Sequence, residues 1–566
     1  MKEAIQSLGD QVHSLVTPFS SIAADWWSHK YQHETYDRDY ADTAARVAYN
    51  VMQCVGEDPL PYAQAIAARK FMPGGRYFYA SGRPLHQTQN CLLMRADDSR
   101  EGWSSLLHKA AMSLMTGAGI GIVYSNVRHE GALIKRTGGL ATGPISLMKI
   151  VNEAGRGIMQ GGSRRSAIWA GLHWWHPDAI KFVHSKNWSP EVRKLKEKDF
   201  NFPATLDGTN ISIILDDAFF YVLDHPHEQV SLDLPGSYYN GYFVGASQAR
   251  QIYDAVVKAM LKTAEPGFSV DVGVNAGECL RNACTEVTSR DDSDICNLGS
   301  IVLSRVEDRR EMQYLVKLGT KLLLAGTEYS HVPYAEVERV REKNRRLGLG
   351  LMGVAEWLYV RGKRYEIDSE LEGYLREYAR STDYAHEVAD AWGLSRPVKT
   401  RAMAPTGTIA GVAETTTGIE TILAVAQKRR YMKHQSWFYQ YMIDPTAKRL
   451  IESGVKPESI EDAYLIEPER RIAFQAWFQK YVDHGISSTI NLPAWGSEAN
   501  NESKVHEFGE MLLKYLPKLR GITCYPDGAR GGQPLTPCTI EEALKHGGEI
   551  FQEDVCDLTK GGSCGD

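Results

Sequence analysis

Gly117-Ala118-Gly119-Ile120-Gly121-Ile122-Val123-Tyr124 leads to a helical pattern at residues 144–159, and that to Ala167-Ile168-Trp169-Ala170-Gly171-Leu172. Short apolar runs punctuated by glycine read as buried strands, and strand–helix–strand succession reads as parallel sheet covered by helices. The alternation continues outward. Further candidate strands lie at 211–215, 295–303, 409–412 and 486–492, with helical patterns at 249–263, 312–324 and 370–392. The expected class is therefore α/β, in which the loops after the strands carry the chemistry. Residues 1–90 read as mainly helical, with Asp42 as the cap of an apolar-periodic run.

Composition limits the function. The 566 residues are 43% hydrophobic and 24% charged, the balance of a globular chain. Net charge is −6 despite 64 Lys+Arg, so no overall basic signature for direct nucleic-acid binding exists. No apolar run approaches the ~18 residues of a membrane span, and Met1-Lys2-Glu3-Ala4 opens no signal peptide. A cytoplasmic enzyme is expected. The nine cysteines are scattered, odd in number and without CxxC spacing, which argues against a disulfide scaffold or a zinc ribbon. No metal site is expected.

Asn282-Ala283-Cys284-Thr285-Glu286 is the sharpest local feature. In an extended segment Asn282, Cys284 and Glu286 project from one face. A thiol then stands between a hydrogen-bonding amide and a carboxylate suited to acid/base work. A turn around a buried cysteine is the plainer alternative. Cys296 follows in a strand-like context, and Cys91 follows Asn90. Gly117–Gly121 resembles a dinucleotide fingerprint but does not open a helix. Two Gly-rich loops, around Gly138-Gly139 and at 161–165, flank the helix at 144–159 and suit either nucleotide recognition or plain solvation. Pro405-Thr406-Gly407-Thr408-Ile409 offers hydroxyls and backbone N–H groups to a phosphate, or is a simple tight turn. His176-Pro177-Asp178 reads as structural.

In order along the chain these motifs resemble ribonucleotide reductase, specifically the catalytic chain of the adenosylcobalamin-dependent class, from about residue 40 to the end. They include Phe71–Arg76, Asn90-Cys91, Ser125–Arg128, Asn282–Glu286, Cys296–Ser300, Arg345–Gly350, Pro405–Ile409, Gly418-Ile419-Glu420 and Ser487–Pro493. The resemblance implies a ten-stranded α/β barrel over 91–540, a helical region over 1–90 and a flexible tail over 541–566. It implies that Cys284 carries a thiyl radical, Glu286 is the base at the 3′-hydroxyl, and Asn282 holds substrate hydroxyls. Cys91 and Cys296 become the dithiol that is oxidised to a disulfide. Asn90 and Pro405, Thr406, Gly407, Thr408 and Ile409 contact the ribonucleotide, a diphosphate rather than a triphosphate. Cys556 and Cys564 resemble tail cysteines reduced by thioredoxin or glutaredoxin.

Asp98 and Arg128 match positions that hold a deoxynucleoside triphosphate effector, and Arg164 a loop residue that senses substrate. A homodimer is implied, and fewer than 40 residues precede the resemblance, too few for an ATP-cone. Ala283 and Thr421 depart from the pattern, each standing where the family usually has proline. The alternatives are a class I large subunit, which needs a separate radical-generating subunit, and a non-catalytic nucleotide-binding relative. Tyr525 stands alone where class I chains have adjacent tyrosines, and the reactive set is complete. The first point favours the adenosylcobalamin class over class I, and the second argues against a non-catalytic relative.

Overall fold

The computed structural model describes residues 1–135, 137–158, 166–198, 202–433, 436–529, 535–547 and 549–552. Its centre is a ten-stranded sheet. The strands are β1 (Phe71–Pro73), β2 (Cys91–Arg95), β3 (Gly119–Val123), β4 (Ile168–His173), β5 (Thr209–Asp216) and β6 (Gly267–Asp271). A short hairpin, β7 (Leu280–Arg281) and β8 (Thr288–Ser289), stands apart from the sheet. The sheet resumes with β9 (Asp294–Val302), β10 (Leu347–Met352), β11 (Thr489–Leu492) and β12 (Gly521–Pro526).

Strands β2 to β6 are mutually parallel and form one half. Parallel pairs β9–β10 and β11–β12 belong to the other. The halves meet at two antiparallel seams, β9 with β2 and β12 with β6. Residues 399–403 join the open ends. Leu349 bridges Arg401 there, its N–H donating to the Thr400 carbonyl and its carbonyl accepting from Ala402 N–H, while Met403 bridges Ile486 on the other side. The segments therefore circle an interior.

What fills that interior follows from the two-residue period of a strand. On β3, Ile120 and Ile122 face outward into a core shared with the helices Arg100–Met115, Gly143–Gly157 and Ala246–Thr263. Gly119, Gly121 and Val123 alternate with them. Cys91, Leu93, Val123, Trp169, Ile214, Cys296 and Ala402 make a separate inner cluster, joined by Leu280 and Val287 of the hairpin. The β7–β8 hairpin thus occupies the barrel interior. A Cβ at Gly121 would lie 1.9 Å from the Arg281 carbonyl oxygen, and one at Gly119 would lie 3.0 Å from Ala283 Cβ. The glycines that suggested a dinucleotide loop make room for the hairpin.

The N-terminal helices Lys2–Val12, Tyr40–Gln53 and Leu60–Ala67 pack with Arg309–Tyr329 over the second half. Asp39, not Asp42, caps the Tyr40–Gln53 helix, accepting from Asp42 N–H at 3.1 Å. Asp42 lies within the first turn, bonded to Arg38. The expected strand at 409–412 is part of a helix, Gly407–Ala413. Its small residues fit where the Trp26 ring closes on Gly411, a spot no side chain could share. The pattern at 370–392 is two helices, Ser369–Ala379 and Ser381–Trp392. A four-stranded antiparallel sheet of Ala426–Lys433, Ser436–Ile443, Leu535–Pro537 and Ile550–Gln552 lies apart from the barrel sheet. Among the described residues no helix is long and apolar enough to cross a membrane.

Substituting Gly121→Ala forces a methyl group onto backbone rather than onto a movable side chain. Urea unfolding should show a loss of ~3 kcal/mol or more. Gly407→Ala, with nothing within 4 Å of the new atom, should change stability by less than ~1 kcal/mol.

Candidate active site

The hairpin tip brings its three reactive residues together by a turn rather than by extended alternation. Asn282 Oδ1 accepts from Val287 N–H at 3.0 Å, and its carbonyl accepts from Thr285 N–H at 3.1 Å. Thr285 takes a left-handed conformation, φ 69°, to close the loop. The outgoing limb is held from the opposite half, where Gly485 N–H donates to the Glu286 carbonyl at 2.6 Å. His484 Nδ1 accepts from Thr288 N–H at 3.1 Å. The acceptor of the Asn282 side chain is spent on the loop itself, and its amide donors are turned toward the Glu286 carboxyl and the Cys91 sulfur.

Cys284 is exposed, whereas Cys91 and Cys296 are buried. Cys91 and Cys296 are register partners across the β2–β9 seam. Directly opposed antiparallel residues have Cα atoms ~4.5–5.5 Å apart, inside the ~4.4–6.8 Å that a disulfide spans. Burial pushes both thiols well above their ordinary range. Glu286, Cys296 and Cys284 add to the shift at Cys91, and Asp294 adds to that at Cys296. Both are therefore neutral thiols at physiological pH, able to give hydrogen with the electron.

Glu286 is fully buried, and neither carboxylate oxygen meets a donor at hydrogen-bonding geometry. Burial pushes it up to about 7, with Asn282 and the loop backbone offsetting only part. A buried carboxyl that no protein donor meets at full hydrogen-bonding geometry is a place where a ligand's hydroxyl can bind and lose its proton. Asn90 adjoins the dithiol. Its N–H donates to the Cys296 carbonyl at 3.3 Å, and its Oδ1 lies 3.7 Å from the Cys91 sulfur.

Pro405–Ile409 follows the 399–403 segment. Thr406, at φ 51°, spends its hydroxyl on Gly418 N–H at 3.0 Å. Thr408 is the freer hydroxyl, 3.4 Å from Lys30 Nζ, and Gly407 faces open space. The departure Thr421 uses its hydroxyl against Tyr359 Oη at 2.7 Å.

Asp98 and Arg128 come together at the other ends of β2 and β3, as an ion pair of 2.8 Å with the guanidinium over the Tyr238 ring. Five-residue strands place these ends ~13 Å from Asn90 and Gly119. His176 and Asp178 hold that region. His176 Nε2 donates to the Val127 carbonyl at 2.9 Å, and Asp178 Oδ2 accepts from Glu130 N–H at 2.8 Å. Sequence reading saw this pair as structural and missed what it anchors. Arg164, Cys556 and Cys564 lie outside the described residues.

The family described as "Ribonucleotide reductase, barrel domain" matches residues 89–381 and 395–525. The chain is 26% identical to a vitamin B12-dependent ribonucleoside-diphosphate reductase of Thermoplasma acidophilum, over 87% of this chain and 68% of that protein. It is 26% identical to one of Mycobacterium tuberculosis, over 85% and 74%. A ribonucleoside-diphosphate reductase large chain of Cryptosporidium parvum is 24% identical over 60% of this chain and 46% of its own length.

Because its folded value is raised from an ordinary 4.5 to about 7, Glu286 contributes stability that is present below pH ~4.5 and lost as pH rises through ~7, up to about 3 kcal/mol. Glu286→Gln should therefore gain stability on the parent between pH 5 and 8 in denaturant titrations, while losing nearly all turnover. A gap between the two proteins that does not change with pH would contradict the buried-acid assignment.

Proposed function

The chain belongs to the ribonucleotide reductase family, and on that premise we propose how its own residues divide the work. It is an enzyme that reduces ribonucleotides to 2′-deoxyribonucleotides with vitamin B12 in the form of adenosylcobalamin. The observation that carries the reading is the meeting, inside a barrel, of one exposed thiol and one buried carboxyl on a hairpin with two buried thiols on the facing strands.

The residues suit such a cofactor in one respect that the chain itself displays. Cys284 alone of the three site thiols is exposed, so a radical source outside the barrel reaches it and not the dithiol. Cys284 is the residue that would face the cofactor, which when bound supplies the radical that converts this thiol to a thiyl. The Cys284 sulfur then takes the ribose 3′ hydrogen. Glu286 takes the 3′-hydroxyl proton, and Asn282 orients the hydroxyls through its amide. The 2′-hydroxyl leaves as water with a proton from the dithiol. Cys91 and Cys296 give two electrons and their second hydrogen, which goes to C2′, and close as a disulfide; Glu286 returns its proton to the 3′-oxygen, and Cys284 returns hydrogen to C3′. Ribonucleotide and dithiol thus become deoxyribonucleotide, disulfide and water.

The substrate is a diphosphate held by Asn90 and residues 405–409. Cys556 and Cys564 re-reduce the buried pair and are themselves reduced by thioredoxin or glutaredoxin in the cytoplasm. Asp98 and Arg128 hold a deoxynucleoside triphosphate effector at a homodimer contact. The helix Gly143–Gly157 runs from that end of the barrel over ~20 Å, and Arg164 follows it seven residues later in the sequence. The division into 1–90, 91–540 and 541–566 follows these roles.

Activity with each ribonucleoside di- and triphosphate, adenosylcobalamin and dithiothreitol, without any second protein, tests the reading. A requirement for a second, radical-generating protein would move the chain to class I. Cys284→Ser should lower turnover by more than ~10⁴-fold while leaving thermal unfolding unchanged, because a hydroxyl keeps the shape but not the weak bond to hydrogen.

The tail cysteines should separate from the buried pair by reductant. A small dithiol enters the barrel and thioredoxin cannot. Cys556→Ser or Cys564→Ser should keep activity with dithiothreitol and lose it with thioredoxin. Equal loss with both reductants would place these residues elsewhere in the mechanism.

A further inference from the structure

Beneath the hairpin lies a set of buried charges that the chemistry above does not use. Glu278 precedes β7, Thr288 opens β8, and the hairpin tip lies between them. Thr288 Oγ1 donates to Glu278 Oε2 at 2.9 Å. Lys399, from the segment that completes the barrel, reaches both: it pairs with Glu278, and its Nζ lies 3.1 Å from Thr288 Oγ1. All three side chains are buried. One lysine thereby ties the incoming and outgoing limbs of the hairpin at the neck.

The set continues to the dithiol. Arg346, just before β10, lies 3.5 Å from Glu278 and pairs with Asp294. Asp294 Oδ2 accepts from Ser289 Oγ at 2.6 Å and from Asn344 Nδ2 at 2.8 Å. It is also the first residue of β9, two before Cys296. The chain of contacts from Lys399 through Glu278, Arg346 and Asp294 therefore links the strand bearing Cys296 to the neck of the hairpin bearing Cys284.

We infer that Lys399, Glu278 and Thr288 are positioning residues for the reaction: they clasp the hairpin neck and so fix where Cys284 stands relative to the Cys91–Cys296 pair. The inference rests on the radical role proposed for Cys284. The reason for expecting more than stability is geometric. Hydrogen transfer and dithiol attack require reacting atoms placed to within about an ångström, and a displacement of that size costs on the order of 100-fold in rate. A buried ion pair is by contrast a weak source of stability, and its joint replacement by neutral groups is often tolerated.

The test uses the full chain with adenosylcobalamin and dithiothreitol, and three variants: Thr288→Val, Lys399→Met and the double Glu278→Gln/Lys399→Met. Lys399→Met leaves Glu278 without its nearest cation and can fail to fold, in which case the other two decide. Thr288→Val should lower kcat roughly tenfold with KM within about twofold, since the hydroxyl joins both limbs and the shape is kept. The double variant should unfold within a few degrees of the parent, yet keep a kcat roughly 100-fold low. A second readout is independent of turnover: the rate at which iodoacetamide alkylates the exposed Cys284, mapped by peptide mass, should change at least about threefold in the double variant.

Parental kcat and parental alkylation rate in Thr288→Val and in the double variant would overturn the inference and leave the network as a stability element. Cys284→Ser serves as the control. If it retained turnover, the radical assignment would fail. If it were dead while the neck variants were unaffected, the positioning inference alone would fail.

Discussion

A hairpin occupying the inside of a closed sheet is the constraint on which the rest of this structure depends. A barrel of this size has an interior that inward side chains alone do not fill, and here the filling is backbone. The Arg281 carbonyl sits where a side chain on residue 121 would begin. That contact demands glycine on β3, places β7 along its inward face, and leaves the hairpin tip opposite Cys91. The remaining supports come from the other half, through Gly485 and His484. The candidate site is therefore held by contacts from both halves of the sheet around the hairpin. Hence the hairpin's local sequence can be short: most of what positions it lies elsewhere in the chain.

Much of this was legible in the sequence where the signal is local. The strands at 120–124, 167–172, 211–215 and 295–303 were found to within about two residues because apolar, β-branched runs between glycines have few other readings. Asn282, Cys284 and Glu286 stood out because three chemically useful side chains within five residues are conspicuous. Of the two readings their spacing allows, the turn is the one present, closed at Thr285, with Cys284 exposed rather than buried. The strand expected at 409–412 failed for a reason outside its own residues: Ile409 and Val412 suit either element, and the Trp26 ring against Gly411 belongs to a helix almost 400 positions away. Asp42 lost the cap to Asp39 by three residues, the usual uncertainty of a helix boundary.

What could not be read locally is the support of the site. Glu278 and Lys399 are 121 positions apart and Thr288 and Lys399 111 apart, and neither pair leaves a periodic trace. The glycines at 119 and 121 were visible, but their purpose was not, because a dinucleotide loop and a close backbone approach ask for the same residue. His176-Pro177-Asp178 reads as structural and is so, but what it holds is not visible locally. Its hydrogen bonds run to Val127 and Glu130, nearly fifty residues away.

The two seams explain why the dithiol sits where it does. In a wholly parallel barrel, neighbouring strands are offset and slanted in their bonding, and no two residues exchange places symmetrically. Reversing one half creates two antiparallel junctions, and at the β2–β9 junction Cys91 and Cys296 face one another in register. A pair so placed can close as a disulfide and reopen without moving either strand, since the separation suits both states. The hairpin delivers Cys284 to the same end of β2 from the inside, while the surrounding sheet keeps the pair buried. On the proposed reading, this buried pair is the two-electron store, and the exposed Cys284 beside it is the thiol that takes the radical. The antiparallel junction of two parallel halves supplies the register for the first, and the inserted hairpin supplies the second. Neither half-barrel alone contains both.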